Sequence, residues 1–222
     1  MQNLINEQVA LIRNIELRSK VEELLSDPKI AFDAGRLPIY ECPAGSYIHH
    51  PYKGGLIEHT LAVVRLALTL CDIVSDIYRG TIDRDTVLAG AILHDIMKCY
   101  VYDRKENGGY ATSRLGEKID HLTLLVAELY KRGFPLDVIH VAVSHHGDQS
   151  PIKPKTLEAL VVSLADLIDS ELNRSVLRAA EYIAKSATGK EIHPSSREAM
   201  EIVKAKAEEG LEGVRRLIER EN

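Results

Sequence analysis

Histidine and aspartate recur on segments whose other residues are aliphatic. His59 lies in Gly-Gly-Leu-Ile-Glu-His-Thr-Leu-Ala-Val-Val, and His94 and Asp95 lie in Leu-Ala-Gly-Ala-Ile-Leu-His-Asp-Ile-Met-Lys. His121 lies in Ile-Asp-His-Leu-Thr-Leu-Leu-Val, and Asp166 in Leu-Val-Val-Ser-Leu-Ala-Asp-Leu-Ile-Asp. His145 and His146 form a pair inside Ser-His-His-Gly. An imidazole or carboxylate in such surroundings loses hydration on folding and must find a partner. A single one of these histidines is more often a hydrogen-bonded core residue than a ligand. Five separate segments change the balance, because groups on facing helices of a bundle are satisfied together when they converge on metal. Neutral imidazoles and carboxylates suit Fe, Mn, Co or Ni, and Zn is admissible. Asp95 has two oxygens and can bridge two ions, with His94 supplied from the same turn. Lys98 lies one helical turn after His94, so its ammonium can reach the same pocket and hold a phosphate oxygen as a point charge.

The elements that must position these groups read as helices. Residues 3–25 carry Ile5, Val9 and Ile12 on one face of a helix. Residues 35–55 hold Gly35, Pro38, Pro43, Gly45, Pro51, Gly54 and Gly55, and read as a loop with at most one short turn. A helix follows from about 56 to 78 with Gly80 as its stop. Asp83 then caps a helix carrying Val87, Ala91, His94 and Lys98. Residues 99–113 depart from this pattern. Tyr100 to Tyr102 favour strand, Asn107-Gly108-Gly109 reads as a tight turn, and Tyr110 to Thr112 return as a second strand. Such a hairpin could act as a lid. Helices resume at about 116–132, with Gly133 as the stop, and at about 135–145. They continue from Thr156 to Asn173 and from about 175 to 187. Ser195 and Glu198 have capping-box spacing for a last helix with Val203, Ala207, Leu211, Val214 and Ile218 on one stripe, although Gly210 and Gly213 weaken it. The terminal helices could close the core or make a homodimer contact.

Composition bounds the function. The chain has 222 residues, enough for a single domain with one sizeable core. Trp is absent and Phe occurs twice, so Leu, Ile, Val and Ala must build that core. The net charge of −5, without a basic block, argues against broad binding to a nucleic-acid duplex. It leaves room for a phosphorylated substrate, because divalent metals reverse the local potential. Cys42, Cys71 and Cys99 form no C-x-x-C pair, which fits a reducing compartment. No signal core stands at the N-terminus and no apolar run is long enough to span a bilayer, so a cytoplasmic, membrane-free protein is expected.

The ordered set H-x34-H-D-x25-H-x23-H-H-x19-D resembles the HD-domain metal-dependent phosphohydrolases. Gly-Gly-Leu before His59 and Lys98 after the His-Asp pair strengthen the likeness, which covers about residues 45–175. It is greatest to the HD domain of bacterial 3′-to-5′ exoribonucleases, through His49-His50-Pro51-Tyr52-Lys53-Gly54-Gly55-Leu56 and Ser144-His145-His146-Gly147. Those enzymes carry an added OB module, for which residues before 45 leave no room.

The resemblance implies an all-α HD-domain bundle spanning 1–222, with helical extensions at both ends. It implies two divalent ions, one held by His59, His94, Asp95 and Asp166, the other by Asp95, His121 and His145. His146 would orient a ligand or the substrate phosphate. Some relatives bind a third ion through a Glu where this chain has Gly55, so no third ion is implied. The expected reaction is hydrolysis of a phosphomonoester or phosphodiester in a nucleotide, short RNA or short DNA. Asp95, Lys98 and His146 would serve the chemistry. His49, His50, Tyr52 and Lys53, or Arg114 and Lys118, could bind substrate. His140 is unassigned, and His193 reads as surface. Two other classes stay open: some relatives use the same residue set as a di-iron oxygenase, and a non-catalytic metal or nucleotide sensor is the third reading.

Overall fold

Helical periodicity is realised throughout the computed structural model, which describes residues 2–106 and 108–220. The first helix expected is in fact two, α1 (Gln2–Val9) and α2 (Ile15–Ser26). Asn14 breaks them: its backbone is extended and its side chain caps α2 by accepting from the Leu17 N–H. The N–H groups of Arg13 and Asn14 donate to the two carboxylate oxygens of Asp85, which ties the break to the next helical layer.

Helix α3 (Gly55–Asp72) runs on through one wide turn at Ile73–Ile77. Helix α4 (Arg84–Leu93) starts where Asp83 accepts from the N–H groups of Asp85 and Thr86. It ends earlier than its periodicity suggests. His94 is its C-terminal cap, residues 94–97 form a turn, and Lys98 opens a short helix α5 (Lys98–Val101). The His-Asp pair therefore sits on a helix end, where backbone and side chains turn toward neighbouring helices.

The hairpin forms, but its first strand starts later than expected: Tyr100 and Val101 close α5, and only Tyr102 of the expected strand is extended. Strands β1 (Tyr102–Arg104) and β2 (Tyr110–Thr112) are antiparallel, with Tyr102 opposite Thr112 and Arg104 opposite Tyr110. Gly108 and Gly109 take positive φ at its tip, and Asn107 lies outside the described residues. Helix α6 (His121–Lys131) starts at His121 rather than near 116, because Asp120 accepts from the Thr123 N–H and residues 116–119 stay in a turn. Ser113 holds that turn, donating its N–H to Val101 and accepting from Gly116.

Helix α7 (Leu136–Ser144) precedes α8 (Leu157–Thr188), a single helix where two were expected. Asn173 points inward and accepts from the His50 N–H, so it anchors the helix instead of ending it. Helix α9 (Ser196–Arg220) begins at the expected Ser195–Glu198 box and kinks at Gly210. Only part of the expected stripe is buried: Val214 and Ile218, with Ala199 and Ile202, pack on Leu177, Ala180 and Ala184 of α8 in a small core of their own, whereas Ala207 and Leu211 are exposed, since the kink at Gly210 changes the face that meets α8.

The main core lies between α3, α4, α7 and α8 and holds Val63, Val64, Leu93, Val141 and Val162. Gly90 sets the spacing of α4 and α7, since a Cβ there would lie 2.3 Å from the Val141 side chain. Among the described residues, no helix is long and apolar enough to cross a membrane.

Candidate metal centre

Seven side chains from five segments meet in the middle of this bundle. His59 comes from mid-α3 and Asp166 from mid-α8. The other five stand at helix ends: His94 and Asp95 after α4, His121 at the start of α6, and His145 and His146 after α7. They form two groups with ligand atoms within 4.8 Å of one another, His59–His94–Asp166 and Asp95–His121–His145–His146.

Asp95 lies between the groups and turns one oxygen to each. Its Oδ2 is 3.5 Å from His59 Nε2 and 3.4 Å from His94 Nε2. Its Oδ1 is 3.2 Å from His121 Nε2 and 3.7 Å from His145 Nε2. Asp166 reaches His59 Nε2 at 3.2 Å through Oδ1 and His146 Nδ1 at 3.5 Å through Oδ2. The two carboxylates thus span both groups.

Hydrogen bonds on the far side of three rings fix their tautomers. Nδ1 of His94 donates to the Ala91 carbonyl at 2.8 Å, and Nδ1 of His145 to the Ala142 carbonyl at 2.7 Å. Nδ1 of His59 donates to Asp169 Oδ2 at 2.6 Å. Nε2 of each ring then faces the centre as the nitrogen available to ligate metal.

The donor set calls for cations. Both Asp95 oxygens and His145 Nε2 are buried without a well-directed hydrogen bond, and buried polar atoms are rarely left so. Lys98 stands 2.5 Å from Asp95 Oδ2 as an ion pair, almost fully buried itself. Burial raises the pKa of Asp95, yet Lys98 and His94 outweigh it and hold the carboxyl well below its usual range. Asp166 is likewise low, where bonds to His146 and His59 overcome burial. Burial lowers His59, but Asp166, Asp169 and Asp95 reverse this and raise it. The field at His59 therefore favours positive charge. At His145, burial and then His146 push the pKa well down and leave a neutral ring. Anionic oxygens, neutral imidazoles and orphaned acceptors in one pocket match the needs of divalent metal.

The centre opens on one side. His59 and His94 are sealed, whereas the His146 side chain is 33% exposed. His121 is partly exposed beside it, with His121 Nε2 and His146 Nε2 3.2 Å apart.

The loop residues expected as substrate contacts divide. His49 and His50 pack against His59 at ring separations of 5.0 and 5.4 Å. Burial first, then His59, lowers them to about 3 and about 4, so both are neutral. His50 takes a positive φ of 43° and is braced by Asn173 and, at 3.7 Å, by Asp169. Tyr52 bonds Ser196, and Lys53 pairs with Glu41 on the surface. Arg114 and Lys118 stay exposed. His140 accepts the Lys155 N–H, a structural use. His193 is exposed beside Glu181, as expected.

Asp169 and Asn173 were not singled out from sequence. Their signal was available: Asp166, Asp169 and Asn173 recur at three and four residues on one face of an apolar helix.

The fold and this donor set define an HD-type metal-dependent hydrolase, and the comparisons agree. The HD-domain family model matches residues 56–171. The chain is 46% identical over 174 residues to a dihydroneopterin 2′,3′-cyclic phosphate phosphodiesterase of Methanocaldococcus jannaschii, covering 77% of this chain and 69% of that one. It is 33% identical over 145 residues to the 3′-5′ exoribonuclease YhaM of Listeria welshimeri, covering 60% of this chain and 44% of the relative. The YhaM protein of Bacillus subtilis is 29% identical over 142 residues, with 59% and 43% covered. This chain thus spans less than half the length of those exoribonucleases. No solved structure gives a significant match. The chain belongs to the HD-domain family and is a metal-dependent phosphohydrolase.

Proposed function

We propose that this protein hydrolyses a phosphodiester in a nucleotide or short nucleic acid at a binuclear metal centre. The observation that carries the reading is Asp95, whose two buried oxygens face two separate ligand groups. His59, His94, Asp95 and Asp166 would hold one ion, and Asp95, His121 and His145 the other. Mn, Fe, Co and Ni suit these donors best, and Zn is compatible. Bound divalent ions supply Lewis-acid chemistry, lowering the pKa of a water toward neutrality and neutralising phosphate charge.

The chain's own groups do the positioning. His146, on the open side, orients the phosphate or completes the second ligand set. Lys98 sets a buried ammonium beside Asp95, where it can hold a phosphate oxygen. Phosphodiester chemistry is supported by the relatives, one named for a cyclic phosphate diester and others for RNA. The test is a panel of cyclic nucleotides, dinucleotides and short RNA with Mn²⁺-loaded protein. Turnover of none of them would overturn the reading.

The wider reading has three parts. Residues 1–222 form one HD unit, with α9 sealing the far end of α8. The protein works in the cytoplasm, in keeping with three buried, unpaired cysteines. It is a homodimer joined through the outward face of α8, where Leu157, Leu160, Leu164, Leu167, Ile168 and Leu172 are each 38–56% exposed. An exposed apolar stripe of this size is ordinarily covered. These side chains offer on the order of 500 Å² per copy, about 1,000 Å² for a pair, where specific interfaces begin. A second copy of the same helix meets that stripe with matching leucines.

A further inference from the structure

A cavity of about 790 Å³ lies outside the ligand groups, between loop 46–53, the hairpin, and α8 with the start of the α9 layer. Two guanidiniums line it from elements distant in sequence, Arg104 on β1 and Arg178 on α8. Among the described residues, neither makes a hydrogen bond or ion pair. Lys53, in the same wall, is paired with Glu41, and Glu181 is engaged by His193 at 3.4 Å. Tyr47, 79% exposed, stands at the rim. A pair of unpaired guanidiniums suits a phosphate, and an exposed aromatic ring suits a stacked planar base.

Both walls of the cavity lead to the metal centre. Side chains alternate along a strand, so Tyr102 and Arg104 share a face of β1, about 7 Å apart. Tyr102 is near enough to Lys98 and Asp95 to feel their charges. On the other wall, Tyr47 and Ile48 run directly into His49, whose ring is 5.0 Å from that of His59. His49 and Tyr102 are only half-buried, so a substrate held at the metals would pass these two side chains to enter the cavity.

We infer that the cavity is a second substrate subsite, taking a base on Tyr47 and a second phosphate between Arg104 and Arg178. The inference rests on the phosphodiesterase reading above and narrows it. The preferred substrate carries a phosphate beyond the one cleaved, as a short 5′-phosphorylated oligonucleotide does. A bare cyclic mononucleotide would leave both guanidiniums without a partner.

The test compares wild type with the Arg104→Ala/Arg178→Ala double variant, both loaded with Mn²⁺. The substrates are a 5′-phosphorylated dinucleotide and bis(p-nitrophenyl) phosphate, which has a single phosphate. The double variant should lose about tenfold or more in kcat/KM on the dinucleotide, mainly through KM, the loss of contacts to a charged group. Its metal content and its rate on the single-phosphate ester should be unchanged. Equal effects on both substrates, or none on the dinucleotide, would overturn the subsite. If wild type cleaves neither ester, the phosphodiesterase reading fails. Calorimetric binding of the dinucleotide then decides the cavity alone: binding lost in the double variant supports it, and binding retained or absent from wild type overturns it.

Discussion

Asp169 Oδ2 stands 2.6 Å from Nδ1 of His59, one turn along α8 from Asp166, which meets the other nitrogen of the same ring. One helix thus orients the imidazole from behind and faces its ligating side. Outer carboxylates of this kind raise ligand basicity, and their loss typically costs about 10–100-fold in metal affinity. Asp169→Ala should weaken the ion held by His59 by that factor, read by competition with a chelator. Asp169→Asn keeps an acceptor and should recover part of it. A lowered Tm with unchanged metal affinity in both variants would reduce Asp169 to a structural residue.

Asp95 divides its oxygens between two ligand groups, and that division is testable by elemental analysis. Wild type should saturate near about two ions per chain, as two-metal hydrolases do. Asp95→Ala should empty both sites, because it removes a ligand from each group and exposes the remaining donors to one another. His121→Ala removes only one contact on the Oδ1 side and should retain about one ion. Equal loss in the two variants would contradict the bridge.

The seven candidate ligands, which the structure brings together, could be picked out in the sequence because most of them interrupt aliphatic segments, where a buried polar group needs a partner, and His145 and His146 through the resemblance. Helix existence was legible for the same reason. What escaped were features decided by contacts across the chain. Asn14 breaks the first helix because Asp85, distant in sequence, takes its N–H. Asn173 does not break α8 because His50 needs its carbonyl. Asp169 shares the apolar helix face of Asp166, which was legible, but its partner is the back of the His59 ring, which only the packing of α3 on α8 reveals. Arg104 and Arg178 gave no local signal at all, and only the packing of the hairpin against α8 brings them to one cavity.

Gly55, four residues before His59, has no room for a side chain. A Cβ there would lie 2.2 Å from the His50 carbonyl oxygen, a backbone atom. Gly55→Ala should therefore destabilise the fold by about 1–3 kcal/mol, the usual cost of overpacking. The strain falls on a loop that supports His59 through Asp169, so metal affinity should fall as well. Gly55→Glu should be worse and should recruit no further ion. A stable Gly55→Glu protein with raised metal content would disprove this account.

The α8 stripe predicts a concentration-dependent dimer. Leu164→Glu and Leu167→Glu put charge at its centre, away from the metal-binding face that carries Asp166 and Asp169. Sedimentation should show the double variant as a monomer with unchanged helix content and metal content. Wild type that sediments as a monomer at all accessible concentrations would rule the dimer out.

The last prediction separates hydrolysis from oxygen chemistry on the same ligand set. Lys98 is buried against Asp95 and holds no place among the ligand groups. Lys98→Ala should therefore retain metal, and bind it more tightly, because a cation 2.5 Å from a ligand oxygen is removed. Ester cleavage should nevertheless fall by about ten- to a thousandfold, the range for losing one charge-assisted contact to phosphate. His146→Ala should resemble it in rate, with a weaker effect on metal since His146 lies at the open edge. Cleavage should proceed under strict anaerobiosis and survive exchange of iron for manganese, because Lewis-acid catalysis needs no redox change. An oxygenase would stop in both tests and would tolerate Lys98→Ala, having no phosphate for the ammonium to hold. Oxygen-dependent turnover with no phosphate ester cleaved would assign the centre to di-iron oxidation instead.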